Sequence, residues 1–495
     1  MNCKGLQFLR ALTAAAAFAG LVLLTGCSKD KDKDDKKAAD VPQAGIQEAS
    51  RDHRLTFTDT VGNPIEGAKV LIGMSEGKPL PGNFLITDAN GAVDAPVDWS
   101  QPQPITVAAD GFVKTTFLRQ WPGGQVFKIR KTEPVNRFEL SGITTGFKVV
   151  DRDNKMEFAA VVPALSKQDM FVFDLNKFIS PEVDQIIVMG KPVNIPSNLS
   201  IPKQTEVYFV PVTLQKLGYR MYFNTTGEKL VYTLKGQIPF REAIIHMQQK
   251  KPAYQLVNYF SIQGGSLKNI PITDSQNSAD LPVNELTFNK PITVRAPAVK
   301  TGEVLIGAAV SQNQDILMPT DVKILTPGAS SNLVTSMGSE TLVATILTRE
   351  AELAPGAGKG RISAAILPYQ ESNVPVILDL LNDPAVTLGS VKIQKIPSKA
   401  GITETGSFLL LSKIEKIPAQ GGAREVTVLN RMWEVYGEGW IEQFDAPQFP
   451  NETTEKTGIY RWEVSLLGSN QGQRVELGQK MLDTATHATH VSVDF

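Results

Sequence analysis

The sequence predicts an all-β protein: tandem β-sandwich domains with one or a few short helices, following a disordered charged tether. Three observations predict it. Short segments of alternating polarity recur along most of the chain, as in Leu55/Phe57, Ala68/Val70/Ile72 and Ile105/Val107/Ala109, which is the period-two pattern of half-buried strands. Clusters of Gly, Pro, Asn and Asp punctuate these segments, as at Asp59–Pro64 and Thr87–Gly91. One segment stands out for helical spacing, Pro239 to Lys251.

The chain opens on Lys4 and Arg10, followed by an uncharged apolar stretch from Ala11 to Leu24. That stretch falls short of the roughly 20 apolar residues a transmembrane helix needs. A basic start, a short apolar run and small residues form a secretory leader. The stretch closes on Leu24-Thr25-Gly26-Cys27, which resembles the lipobox of bacterial lipoproteins. The resemblance covers only the leader, residues 1–26, and the cysteine after it. It implies that Cys27 is alkylated by diacylglycerol, that the chain is cut after Gly26, and that the new amine is acylated, as by palmitate. Each buried CH₂ contributes about 0.8 kcal/mol, so two or three chains hold a protein where one holds it only marginally. Ser28 stands where Asp would retain a Gram-negative lipoprotein at the inner membrane, so the resemblance implies the outer membrane. The expected partner is thus the membrane itself, through the lipid, with the periplasmic or external face open.

Residues 27–50 read as a spacer. The run from Lys29 to Lys37 alternates Lys and Asp with nothing apolar to bury, which predicts a solvated, disordered tether. The formal net charge of the whole chain is −1, against the basic footprint of a nucleic-acid binder. The two cysteines are Cys3, in the leader, and Cys27. Once the leader is cut and Cys27 lipidated, no thiol remains for a disulfide or a cysteine zinc site, so the domains must rest on their hydrophobic cores.

Residues 51–131 predict a first small sandwich, in which Asn90-Gly91 supplies the positive φ of a tight hairpin. Asp59, Gly62, Asn63, Pro64, Ile65, Gly67, Ala68 and Val70, then Thr87, Asp88 and Gly91, then Val107, Ala109, Gly111 and Phe112 together resemble the carboxypeptidase regulatory-like domain. That resemblance implies a seven-stranded, transthyretin-like sandwich serving as an accessory or spacer module. It implies no peptidase activity, because the family's regulatory domain carries no zinc ligands.

Residues 133–285 form a second β-rich region. Tyr219–Phe223, a turn at Asn224–Gly227 and Lys229–Leu234 predict a hairpin, and Phe240, Ala243, Ile244 and Met247 place an apolar stripe on the one helix. Residues 286–400 and 401–495 continue the strand pattern at the size and spacing of immunoglobulin-like sandwiches.

Motifs of chemistry are few. Gly73-Met74-Ser75-Glu76-Gly77 matches G-x-S-x-G, but Lys78-Pro79-Leu80-Pro81-Gly82 follows, where a nucleophile elbow needs a helix. Gly356 to Gly360 lacks the first Gly and the final Ser or Thr of a phosphate loop, and Ile362–Leu367 after it reads as strand. The four histidines are His53, His246, His487 and His490; the last two are three apart, which splits them across a strand. Asp88, Asn90 and Asp94 offer oxygen ligands for Ca²⁺, with turn hydrogen bonding the commoner outcome. Trp433, Tyr436, Trp440, Phe444, Phe449, Tyr460 and Trp462 concentrate aromatic area near the C-terminus. Most have core spacing, while Trp440, beside Gly437 and Gly439, is the candidate binding contact. The expectation is a non-catalytic envelope module without a cofactor, binding an envelope protein or glycan or serving structurally. The alternative is an accessory hydrolase whose site assembles from residues distant in sequence.

Overall fold

A computed structural model of the chain describes residues 53–74, 84–133, 137–147, 155–165, 169, 171, 180, 182–188, 190–207, 210–313, 316–336, 340–353, 360–417, 426–449, 457–470 and 476–495. Strand makes up 60% of the described residues and helix 7%, so the described fold is mostly β, in several sheets.

The first region holds β1 (Arg54–Asp59), β2 (Lys69–Ile72), β3 (Leu85–Ile86), β4 (Ala92–Asp94), β5 (Gln103–Ala108), β6 (Lys114–Gln120) and β7 (Gln125–Ile129). One sheet runs β4-β1-β7, and β3-β2-β5-β6 form the facing layer. Leu55, Phe57, Val70, Ile72, Ile105, Val107, Phe117 and Phe127 fill the space between. Phe127 meets Phe57 at 5.3 Å and Phe117 at 4.7 Å between ring centroids. The turn residues act through hydrogen bonds. Asp59 Oδ1 accepts from the Val61 and Asn63 amides, and Asp88 Oδ1 from those of Asn90 and Ala92. Thr87 Oγ1 accepts from the Ala68 amide and donates to the Ile65 carbonyl.

The second region holds β8 (Phe138–Thr145), β9 (Lys155–Pro163), β10 (Val183–Val188), β11 (Lys191–Pro196), β12 (Leu199–Val207), β13 (Val210–Lys216), β14 (Gly218–Phe223) and β15 (Gly227–Pro239). Helix α1 (Phe240–Gln248) follows and ends before Lys250, whose φ is 56°. Next come β16 (Ser261–Ile272), β17 (Asn277–Ser278) and β18 (Leu281–Pro282). The expected hairpin of β14 with β15 does not form. β14 pairs with β8, whereas β15 lies between β9 and β16. The chain changes sheet at the turn because Tyr219, Met221, Val231 and Ile270 pack into one core with Leu140.

The third region holds β19 (Leu286–Arg295), β20 (Glu303–Asn313), β21 (Ile316–Leu325), β22 (Ser330–Ser336), β23 (Glu340–Arg349), β24 (Ile362–Pro368), β25 (Ala385–Thr387) and β26 (Ser390–Lys392). The fourth holds β27 (Thr403–Ile417), β28 (Val426–Glu438), β29 (Gln443–Asp445), β30 (Ile459–Ser469), α2 (Lys480–Thr484) and β31 (His487–Asp494).

Two large sheets run through these regions. A seven-stranded sheet is ordered β13-β12-β9-β15-β16-β19-β22, and a twelve-stranded one β21-β20-β23-β24-β31-β30-β27-β28-β6-β5-β2-β3. Hydrogen bonding therefore crosses positions 285/286 and 400/401, through β16 with β19 and β24 with β31. It also links first and last regions, because β28 pairs in parallel with β6, with Trp433 beside Lys114 and Tyr436 beside Phe117. The large sheet is covered on both faces. Along β27, Phe408 and Leu410 enter the core shared with the first region, while Leu409 and Leu411 enter a second core under the small sheet β25-β26-β29. Alternation on two buried faces explains the near-continuous apolar run Phe408–Leu411.

Candidate functional site

Leu24, Thr25, Gly26, Cys27 and Ser28, the lipidation, cleavage and sorting residues, lie outside the described residues, as do the tether and residues 75–83. The chemistry that can be placed belongs to the C-terminal aromatic layer and to the seam where β28 meets β6.

Six of the seven C-terminal aromatics are buried: Trp433, Tyr436, Phe444, Phe449, Tyr460 and Trp462. Trp433 and Trp462 flank Phe444 edge-on, at 5.7 and 6.0 Å between centroids. Both indole N–H groups are used, donating to Thr116 Oγ1 at 2.9 Å and to the Thr387 carbonyl at 2.8 Å. Trp440 follows Gly439, which turns the chain at φ 66°. Its ring is half-buried against the second core, and its N–H donates to the Leu467 carbonyl at 2.8 Å. Trp440 is thus partly committed to packing.

Beneath this layer the seam holds a buried carboxylate. Glu434 is 1% exposed, and burying a charge is costly unless it is paired and hydrogen-bonded. Its Oε1 accepts from Arg130 Nε at 3.0 Å and Arg431 at 3.1 Å, and its Oε2 from the Tyr436 hydroxyl at 2.8 Å. Burial, with Glu434 beside it, pushes the Tyr436 phenol well up, so it stays a neutral donor. Lys114, whose ammonium lies 3.9 Å from the Trp433 ring centroid, adds a cation–π contact across the same seam. Sequence reasoning missed this group because Arg130 and Glu434 are 304 positions apart.

The other candidates take structural partners. His487 Nε2 lies 3.1 Å from the Val376 carbonyl, and His490 Nδ1 2.9 Å from Ser465 Oγ. Burial pushes His487 down to about 4 despite the Val376 bond, and burial with nearby Arg461 pushes His490 down to about 3. His246 Nε2 lies 3.0 Å from the Pro252 carbonyl. Asp88, besides its turn bonds, pairs with Arg54 at 2.9 Å. Among the described residues no three His, Cys, Asp or Glu gather to hold a metal. An open cleft of about 430 Å³ beside β17 is lined by Lys268, Asn277, Ser278 and Asp280. Asn277 and Asp280 there already brace the Glu139 carbonyl and the Ile143 amide of β8. No described helix is long and apolar enough to cross a membrane.

No protein-family profile matches the chain, and no curated protein is similar to it. Among solved structures, a Streptococcal ancillary pilin aligns over 78% of this chain and 98% of its own, at 8% identity and a TM-score of 0.13. A mutant of Salmonella alpha-2-macroglobulin aligns over 87% of this chain and 27% of its own, at 10% identity and a TM-score of 0.14. Scores this low carry no argument.

Proposed function

We propose that the chain is a bacterial lipoprotein, held in the outer membrane by acyl chains on Cys27, and that it works there as a non-catalytic binding or structural module of the envelope. The observation that carries the reading is Leu24-Thr25-Gly26-Cys27 at the end of an uncharged apolar stretch, with Ser28 directing the product outward. The first region is the transthyretin-like spacer. Its support is seven strands in two layers, with Asp59, Thr87 and Asp88 bonded at the turns. The last region contributes one layer of an immunoglobulin-like sandwich that the small sheet β25-β26-β29 closes together with the third region, and its half-buried Trp440 is where an envelope protein or glycan would make contact. A non-catalytic role is supported by the histidines, three of which are bonded within the fold.

Cys27→Ser tests the anchor in cells supplied with labelled palmitate. Wild-type protein is expected to take up label and fractionate with outer membrane, and Cys27→Ser to do neither. A processed Cys27→Ser chain that still fractionates with membrane overturns the reading.

A further inference from the structure

Trp121 differs from the other four tryptophans. It is 56% exposed, whereas Trp99, Trp433 and Trp462 are buried and Trp440 is half-buried. It opens the turn from β6 to β7, two residues after exposed Arg119, which holds a left-handed backbone at φ 53°. Strain of this kind at a non-glycine residue gathers at functional positions.

The strand register shows what surrounds this turn. Leu55 on β1 pairs with Val93 on one side and Gln125 on the other. Beyond that row, the Ala95 amide donates to the His53 carbonyl at 2.9 Å. Residues 53, 95–97 and 121–125 therefore share one end of the first sandwich. Val97 is 89% exposed there, and Val126 63% on the adjoining outer face, beside exposed Lys128. Exposed Trp121 and Val97, with Arg119, thus gather where the chain enters from residues 28–52 and, before them, Cys27, and exposed Val126 and Lys128 continue along β7 away from that end.

We propose that this end of the first sandwich is a membrane-contact surface, with Trp121, Val97 and Val126 seated in the headgroup zone of the bilayer that holds the Cys27 acyl chains. The inference rests on the proposed lipid anchor, which ties the chain to the bilayer through the segment that enters at this end. An indole has an apolar body and one polar N–H, which suits the membrane–water boundary. Arg119 at this end, with Lys128 farther along the outer face, complements anionic headgroups. One Trp and two Val would bind weakly alone, but a tether keeps the local lipid concentration high, so a weak contact is occupied.

The full-length lipidated protein is incubated with phosphatidylethanolamine–phosphatidylglycerol vesicles, with or without brominated acyl chains, and read by flotation and tryptophan emission. Brominated lipid should quench wild-type emission. Trp121→Ala should lose most of that quenching and still float, and Val97→Asp should weaken it while Trp121 is retained. Equal quenching of floating wild-type and Trp121→Ala protein, or none in either, overturns the contact surface and leaves the anchor standing. Wild-type protein that fails to float overturns the anchor instead. Excess brominated vesicles then decide the contact separately: Trp121-dependent quenching supports it and its absence overturns it.

Discussion

His487 and His490 show how far a residue's identity fixes its role. Three positions apart on β31, they fall on opposite faces, as strand spacing requires, and each is 1% exposed. Both are held neutral by burial, at about 4 and about 3, against an ordinary value near 6.5. Below about pH 6.5 the unfolded chain takes up protons that the folded chain refuses. Stability is therefore full above that value and falls as pH drops towards 4 and 3, by up to about 1.4 kcal/mol per pH unit per histidine. Asp321, whose carboxyl is pushed up by burial, contributes with the opposite sign, so the variants carry the test. Denaturant midpoints between about pH 7.5 and 5 should fall less steeply in His490→Asn than in wild type; equal slopes would remove the histidine from the account. The spacing that splits the pair was legible in the sequence. Their burial was not, because Ser465 and Val376 are supplied by chain 25 and 111 positions away. Trp440 and Trp121 teach the same lesson in reverse: nearby glycines marked the tryptophan that turned out half-buried.

At the scale of elements, local chemistry was the most legible. Gly91 has φ 69°, as Asn90-Gly91 led one to expect, and a Cβ placed there would lie 2.3 Å from the Phe57 carbonyl oxygen. Gly62 is equally left-handed at φ 98°, but a Cβ there would meet nothing within 4 Å. Gly91→Ala is therefore expected to cost more than about 2 kcal/mol, and Gly62→Ala only about 1–2 kcal/mol for the backbone alone. Equilibrium urea unfolding separates the two, and equal losses would show that strain rather than the clash governs. Helix α1 was legible from its stripe and from Pro239 before it, with the end three residues earlier than Lys251. The pairing of β14 was not. Turn residues at Asn224–Gly227 describe a reversal, and a reversal into a facing sheet has the same local sequence as a hairpin.

At the scale of the molecule, strand-to-strand order was hidden, since it depends on contacts as distant as β6 with β28. Glu434 gives a handle on that order, because it bonds Arg130 from the first region as well as Arg431 and Tyr436 on its own strand. Removing one partner of a buried ion pair costs about 3–5 kcal/mol, so Glu434→Ala should lose about that much in urea unfolding. If the continuous sheet unfolds as one, tryptophan fluorescence and far-ultraviolet circular dichroism shift together. A separate, unshifted transition for the first sandwich would show that the seam transmits nothing.

The place of β31 between β24 and β30 has a further consequence for how the protein comes into being. Ribosomes deliver a chain from its N-terminus, so β6 and β24 exist long before the strands that cover them, β28 and β31. Until those arrive, each presents a bare edge of amide and carbonyl groups, which is a template for aggregation. The newborn chain thus carries two open sheet edges until its last strands are made, and shortening it before β31 would leave one of them bare for good.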